Sequence, residues 1–460
     1  MELAGRVAAR AGASEAAARL FLSITAGYPF ALVYRNYLFG APPVLTHIYS
    51  TGLGLGLAYF NFGCEVHHSM LCVFVQYCLL RFVGRSFLGV ATSFVFQMFY
   101  LLMGYYYTAT DQYDIKWTMP HCVLTLKLIG LAFDYYDGGK DEAQLTAEQR
   151  RDRLPRSPSA LELCGFAYFF GGFLVGPQFT MKRYLSLVNS ELTDVPGHRP
   201  NSVAPALRRL GLGLVCVTVF AVVGPHIPDT FFLTPEYSRH PLWYKCVLIT
   251  VWGKVTLYKY ISCWLIAEGV CILCGLGYSG RGAGGQAEWD ACANVKLYLY
   301  ETTPYFKGTI AAFNIQTNNW AARHVFKRLR ALGSKMASQA ATLAFLAVWH
   351  GYHSGYFMCF VLELIIVQFE TRAGQLIRDS ERLSDCVKSS HLQKVLYVAQ
   401  QSFHWLFLSY SLLPFSLLAS AKWLLVYKSV YFIGHIFFLS QIILMPFYRK
   451  ILIPKKHRTE

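Results

Sequence analysis

The sequence has few charged residues for its length. Charged side chains make up 15% of its 460 residues, whereas about 25% is usual in soluble proteins. Hydrophobic residues make up 54%, and the mean hydropathy is +0.34. Apolar stretches recur from Phe21 to Phe447. This composition excludes a water-soluble protein. A membrane crossing needs roughly 20 apolar residues, so the chain can supply about ten crossings, and we predict an all-α polytopic membrane protein.

The patterns of several known kinds of site are also missing. The 13 cysteines are scattered, without the paired spacing of a zinc site or of a disulfide framework. No histidine is followed by an aspartate five places later, and neither Asp-His-His-Cys nor Gly-x-Ser-x-Gly occurs. We therefore predict no metal site, no cysteine-linked acyl transfer and no serine hydrolase.

Basic residues outnumber acidic ones, with a net charge of 42 − 26 = +16. They lie mainly in short links between apolar stretches, at 182–183, 208–209, 323–335 and 448–458. Lys and Arg collect on the cytoplasmic side of membrane proteins. The excess therefore indicates membrane topology, and we predict no nucleic-acid partner.

The organisation predicted from this pattern is one membrane-embedded domain over residues 1–460. A short amphipathic helix at 1–20 precedes the first span. Polar loops are expected at about 137–159, 189–205 and 279–339, and a basic cytoplasmic tail at 448–460. No cleavable signal peptide is evident, so we expect insertion at the endoplasmic reticulum through an internal signal-anchor.

His350 is the first candidate for chemistry. It follows an apolar run and lies in Trp-His-Gly-Tyr-His-Ser-Gly-Tyr at 349–356, where glycines allow a substrate to approach closely. A neutral imidazole is a natural general base for a hydroxyl group. His353 is an alternative base or a partner. Asn314, in Phe-Asn-Ile-Gln-Thr-Asn-Asn-Trp at 313–320, is a second candidate, because its amide can donate to an oxyanion.

These motifs carry a family resemblance. The W-H-G-x-x-x-G-Y run, the F-N-x-x-T-x-x-W run and the separation 350 − 314 = 36 resemble the membrane-bound O-acyltransferase family. Further stretches at 105–111, 113–121, 173–179 and 289–294 narrow the match to its lysophospholipid-acylating members. The resemblance covers nearly the whole chain.

The resemblance implies a fold, a reaction and a location. The fold is a multi-helix bundle enclosing a reaction chamber, with His350 as base and Asn314 as its companion. Acyl-CoA is the co-substrate, and no cofactor is tightly bound. Polyunsaturated acyl groups go to the sn-2 hydroxyl of lysophosphatidylcholine chiefly, and also of lysophosphatidylethanolamine and lysophosphatidylserine, in phospholipid remodelling. The location is the endoplasmic reticulum membrane.

Basic residues between the two candidates have two interpretations. Arg323, Lys327, Arg328 and Lys335 are predicted to bind the phosphates of coenzyme A. Alternatively, they form a positive-inside loop, and both interpretations stay open here.

Two other functions remain as alternatives. One is the same family with another acceptor: a sterol, a diacylglycerol or a protein. The other is a polytopic lipid transporter, with Lys254, Lys259 and Glu268 along a translocation pathway. The oligomeric state is left open, a homo-oligomer included.

Overall fold

The computed structural model describes residues 5, 8, 13–110, 114–330, 333–388 and 390–453. These residues form a bundle of α-helices with one small β-hairpin. In chain order the helices are α1 Glu15–Val33, α2 Pro43–Phe62, α3 Val66–Cys78, α4 Phe87–Thr108, α5 Thr118–Asp137, α6 Ala147–Asp152, α7 Ala160–Ala167, α8 Met181–Val188, α9 Val203–Val223, α10 Pro235–Arg239, α11 Leu242–Cys274, α12 Leu297–Thr302, α13 Phe306–Ala312, α14 Ile315–Ala321, α15 Lys327–Arg330, α16 Lys335–His350, α17 Ser354–Asp379, α18 Glu381–Lys388, α19 Ser390–Leu417, α20 Ser420–Ser429 and α21 Ile433–Leu452.

Shorter elements complete the chain. The strands β1 Gly280–Arg281 and β2 Ala287–Glu288 pair antiparallel, with Gly280 opposite Glu288. The π-helical segments are Tyr34–Leu38, Leu79–Val83 and Ala322–Phe326, and the 3₁₀ segments are Gly63–Glu65, Glu142–Gln144, Gly224–His226 and Asp229–Leu233. The predicted all-α class is confirmed.

Six helical runs of the described chain are long and apolar enough to cross a membrane, or seven if α20 and α21, bent by 77°, form one span. The runs are Glu15–Leu38, Pro43–Val83, Phe87–Thr108, Val203–Leu233, Leu242–Cys274 and Ser354–Asp379. Composition alone predicted about ten crossings. Fewer helical runs are long enough to cross because some apolar stretches form short helices, such as α7, that neighbouring helices bury.

Several predicted boundaries are wrong. The 279–339 segment, predicted as a polar loop, contains the β-hairpin, α12 to α15 and the start of α16. Its aromatic side chains explain the difference, because Tyr300, Phe306 and Trp320 are buried in the fold. The 137–159 loop likewise contains α6, whereas 189–205 is free of helix up to the start of α9.

The predicted ends of the chain lie only partly in the described residues. Ser14 caps α1, which begins at Glu15 and continues as the first long apolar run, so the predicted division at residue 20 is wrong. The start of the predicted tail, 448–452, continues α21. Residues 1–4, 6–7, 9–12 and 454–460 of these two predictions lie outside the described residues.

Buried apolar side chains form three clusters. The first joins α1, α2, α7, α8 and the last third of α11. The second joins the first two thirds of α11 to α17, α19, α20 and α21. The third is small and lies between α4, α5, α14 and α16, where it includes Trp320 and Trp349. Trp349 directly precedes His350, and Trp320 lies in α14, which begins directly after Asn314.

Candidate active site

His350 is the last residue of α16, and its half-buried ring lies among aromatic side chains. The ring centroid is 4.5 Å from that of Trp349, 5.0 Å from Phe415, 5.6 Å from Tyr356 and 5.8 Å from Phe360. Neither ring nitrogen hydrogen-bonds to any residue that the structure describes. Both nitrogens are therefore available to a substrate.

The two glycines after His350 have different structural roles. Gly351 ends α16 with a φ of 127°, a conformation that other residues rarely adopt. Gly355 packs against the end of α19, and its N–H donates to the carbonyl oxygen of Leu418, the residue after that helix, over 2.9 Å. A Cβ atom on Gly355 would lie only 1.9 Å from the carbonyl oxygen of Pro414. The H-G-x-x-x-G spacing thus combines a helix end with a close contact between α17 and α19.

Trp349 fixes the backbone next to His350. Its indole Nε1 donates to the carbonyl oxygen of Cys122 on α5 over 3.0 Å, and its own carbonyl oxygen accepts from the Tyr105 hydroxyl over 3.1 Å. Two helices distant in sequence therefore hold the end of α16. Sequence inspection did not predict these partners, because hydrogen bonds to backbone carbonyls leave no sequence pattern.

Asn314 lies at the N-cap position of α14 in the left-handed conformation, with φ 51° and ψ 41°. Asparagine tolerates this conformation better than most residues. An N-cap asparagine usually accepts a hydrogen bond from its own helix, but the Asn314 side chain makes no such bond. It contacts Asn294 instead, whose Nδ2 lies 3.5 Å from Asn314 Oδ1.

A helical hairpin connects Asn314 with His350. One arm runs through α14, the π-helical segment and α15, from Ile315 to Arg330, which is 330 − 314 = 16 residues. The other arm is α16, also 16 residues long. The rings of Trp320 and Phe345 stack at 5.7 Å, each five residues from its arm's outer end (320 − 315 and 350 − 345). The hairpin therefore brings Asn314 and His350 to the same end.

The predicted phosphate-binding cations lie towards the other end of this hairpin, and three of them have carboxylate partners. Arg323 contacts Asp134 and, over 2.6 Å, Asp152; Lys327 contacts Glu148 over 2.6 Å; Arg328 contacts Asp137 over 2.6 Å.

Lys335 differs, since it is exposed and has no ion-pair partner among the described residues. It starts α16, about 22 Å along the helix axis from His350 at 1.5 Å per residue. The role of these four residues in binding phosphate stays a prediction.

The charged residues of α11, considered above as a translocation pathway, contact other side chains. Lys254 Nζ is 2.5 Å from Glu301 Oε2, and Arg209 Nε is 2.9 Å from Glu268 Oε1. Lys259 lies against the Tyr260 ring, with its Nζ 4.9 Å from the ring centroid. These contacts give the intramembrane charges a structural explanation. Within the described residues, no group of three or more His, Cys, Asp or Glu side chains is arranged to hold a metal ion.

The comparison with known families concerns the region that contains this hairpin. The model of the membrane-bound O-acyltransferase (MBOAT) family matches residues 102–413, which include Asn314 and His350. The chain belongs to this family. As an MBOAT protein it is a multi-pass membrane enzyme that transfers acyl groups to oxygen. The predicted family and enzyme class are confirmed.

Several known proteins are similar to this MBOAT chain over nearly its whole length. Lysophospholipid acyltransferase 5 of Homo sapiens is 54% identical over 453 residues, which cover 98% of this chain and 93% of the human one. The protein of the same name in Drosophila melanogaster is 39% identical, covering 94% of this chain and 87% of its own. Lysophospholipid acyltransferase 2 of Arabidopsis thaliana is 28% identical, covering 93% and 92%.

Proposed function

We propose that this MBOAT enzyme transfers a polyunsaturated fatty acyl group from acyl-CoA to the sn-2 hydroxyl of a lysophospholipid. Lysophosphatidylcholine is the chief acceptor, with lysophosphatidylethanolamine and lysophosphatidylserine also used, in phospholipid remodelling at the endoplasmic reticulum. The names of the similar proteins support the acceptor class. The observation that carries the site is the hairpin that brings Asn314 and His350 to the same end.

The proposed reaction is a direct transfer. The neutral His350 imidazole takes the proton of the acceptor hydroxyl, and the oxygen attacks the thioester carbon. The Asn314 amide donates a hydrogen bond to the oxyanion of the tetrahedral intermediate. The carbon–sulfur bond then breaks, and the imidazolium returns the proton to the leaving thiolate, so that coenzyme A departs as a thiol. General-base catalysis contributes about 10²–10⁴-fold, and one oxyanion donor about 10²–10³-fold.

The donor approaches from the basic end of the hairpin in this proposal. Coenzyme A carries its phosphates and its thiol at opposite ends of a long flexible arm. The separation of about 22 Å between Lys335 and His350 along α16 suits such a molecule. Phosphates binding at Lys327 or Arg328 would compete with Glu148 and Asp137, whereas Lys335 has no such competitor in the described chain.

The test is acyl transfer by purified protein in lipid nanodiscs with radiolabelled arachidonoyl-CoA. The acceptor panel contains lysophosphatidylcholine, lysophosphatidylethanolamine, lysophosphatidylserine, cholesterol, diacylglycerol and a peptide. We expect a labelled phospholipid, chiefly phosphatidylcholine, as product. A labelled sterol ester, triacylglycerol or acyl-peptide without labelled phospholipid would overturn the acceptor assignment. Movement of lipid between leaflets without any acylated product would favour the transporter.

Variants of the two histidines test the base. His353 occupies the N-cap position of α17, and its ring centroid is 6.0 Å from that of Tyr356. We expect His350→Ala to abolish turnover and His353→Ala to retain most of it, with both proteins monodisperse in detergent. Loss with His353→Ala alone would transfer the role of base to His353.

A further inference from the structure

Asn294 is a buried residue, 3% exposed, whose role the proposed reaction does not yet include. Its backbone carbonyl oxygen accepts from the N–H of Ile315 over 3.1 Å. The next residue, Val295, forms an antiparallel bridge with Phe313. The backbone on both sides of Asn314 is thus attached to Asn294 and its neighbour, so the two asparagine side chains have a fixed relative position.

The orientation of the Asn294 amide follows from its partners. The backbone N–H of Gln316 can only donate, and it lies 2.9 Å from Asn294 Oδ1. The oxygen of the amide must therefore face Gln316. The Nδ2 group then faces Asn314, where a donor needs an acceptor. Asn314 Oδ1 meets it at 3.5 Å, the outer limit of hydrogen-bonding distance.

This pairing determines which end of the Asn314 amide is free. Gln316 N–H is the bond that an N-cap asparagine would ordinarily accept, and Asn294 accepts it instead. Asn314 consequently uses its oxygen on Asn294, while its Nδ2 has no hydrogen bond to the described residues. The half-buried Asn314 side chain presents a donor rather than an acceptor.

We propose that Asn294 is a positioning residue that sets the amide orientation of Asn314, so that Nδ2 faces the thioester carbonyl oxygen. This inference rests on the role of Asn314 in the proposed function. The backbone N–H of Gln316 is the fixed reference of the arrangement. It orients Asn294, which orients Asn314, which donates to the substrate oxygen.

Asn294→Asp is the sharpest variant, because it replaces only the amide NH₂ group by an oxygen. The introduced carboxylate still accepts from Gln316 N–H, but its second oxygen cannot donate when ionised. Asn314 then turns its NH₂ group towards that carboxylate and its oxygen towards the substrate carbonyl. We expect kcat to fall by about 10²–10³-fold, as for the loss of an oxyanion donor, with little change in either KM.

The pH profile separates this effect from a loss of structure. When the introduced carboxyl group is protonated, its O–H donates to Asn314 Oδ1, as the asparagine does. Only the ionised form of the introduced carboxyl group reverses the orientation of the Asn314 amide. The ratio of kcat for Asn294→Asp to that of wild type should therefore fall as pH rises through the ionisation of the introduced carboxyl group. A ratio near one from mildly acidic to alkaline pH would overturn the proposal.

A double-mutant cycle distinguishes failure of this inference from failure of the proposed function. With Asn314 removed, the orientation of its amide no longer matters, so Asn294→Asp should lower kcat no further in an Asn314→Ala background. Independent, multiplicative losses would overturn the proposal. If Asn314→Ala lowers kcat and Asn294→Asp does not, the inference fails and the site stands. If Asn314→Ala leaves kcat unchanged, the proposed role of Asn314 itself fails.

If the aspartate variant does not fold, Asn294→Ser provides a second test of the orientation of the Asn314 amide. A serine hydroxyl is too short to reach both Gln316 N–H and Asn314 Oδ1. It therefore leaves the Asn314 amide free to adopt either orientation. We expect a kcat between those of wild type and Asn294→Asp. A monodisperse elution profile in size-exclusion chromatography checks that the variant is folded. A kcat equal to that of wild type would overturn the proposal.

Discussion

At the scale of single residues, the candidate site depends on small side chains and backbone contacts as much as on its two polar groups. Gly351 ends α16 where few other residues fit, and Gly355 allows α17 to touch the backbone of α19. Both glycines influence where the His350 ring lies, since Tyr356 and Phe415, which contact that ring, lie in α17 and at the end of α19.

The first prediction concerns Gly355. Gly355→Ala should separate α17 from α19, because its Cβ would lie 1.9 Å from the Pro414 carbonyl oxygen. We expect overpacking to lower the free energy of unfolding by about 1–3 kcal/mol. A shift of the reacting groups by about 1 Å should lower kcat by on the order of 10²-fold. Acyl transfer and thermal unfolding in detergent measure these two effects.

Gly52→Ala is the matched control. A Cβ on Gly52, in α2, would meet nothing within 4 Å. Alanine in a helix is more stable than glycine by about 0.5–1 kcal/mol, so this variant should keep full activity and lose no stability. Equal kcat for the two alanine variants would contradict the explanation given for Gly355.

At the scale of elements, the hairpin of equal arms is the feature that relates the two candidate residues. Its Trp320–Phe345 stack lies five residues from the outer end of each arm. Trp320→Ala removes this contact and should lower the free energy of unfolding by about 3–5 kcal/mol. We expect kcat to fall as well, because the arms lose their common packing. Trp320→Phe keeps an aromatic ring and should retain most activity.

Thermal unfolding and single-turnover acyl transfer test this prediction on the same preparations. If Trp320→Ala were as active as wild type at a temperature where both are folded, the stack would have no part in aligning Asn314 with His350.

The basic end of the hairpin gives a prediction about the donor. Lys335→Ala should raise the KM for acyl-CoA a few-fold and leave kcat unchanged, since one exposed charge contact contributes about 0.2–1 kcal/mol. The difference should shrink at high ionic strength, because salt screens exposed charges. Lys182→Ala, at an exposed lysine of α8, is the control. Equal KM values for both variants would contradict phosphate binding by Lys335 and favour the interpretation of this residue as part of a positive-inside loop.

At the scale of the whole molecule, composition predicted the class because membrane insertion depends on summed apolarity. The 279–339 segment was predicted wrongly as a loop, because its buried aromatic residues alternate with polar ones and no long apolar run marks its helices. The register of the two hairpin arms follows from their lengths, which appear only once the helix ends are known.

Motif spacing drew attention to His350 and Asn314, but not to the contacts around them. The carboxylates on α5 and α6 that pair with Arg323 and Arg328 are more than 150 residues away in sequence. Asn294 belonged to a stretch that resembled the family, yet its position against Asn314 follows from packing, which sequence patterns do not encode. Tertiary contacts of this kind are therefore where the structure adds most.

Helix α11 has a consequence for how the molecule holds together. Its 33 residues extend about 50 Å at 1.5 Å per residue, well beyond a hydrocarbon layer of about 30 Å, so it must lie steeply inclined or project into water. Ile249 and Trp252 near one end belong to one apolar cluster, and Ile266 and Val270 near the other belong to a second. One continuous helix thus contributes side chains to both clusters. A substitution that loosens the packing of α11 in one cluster should therefore also weaken its packing in the other.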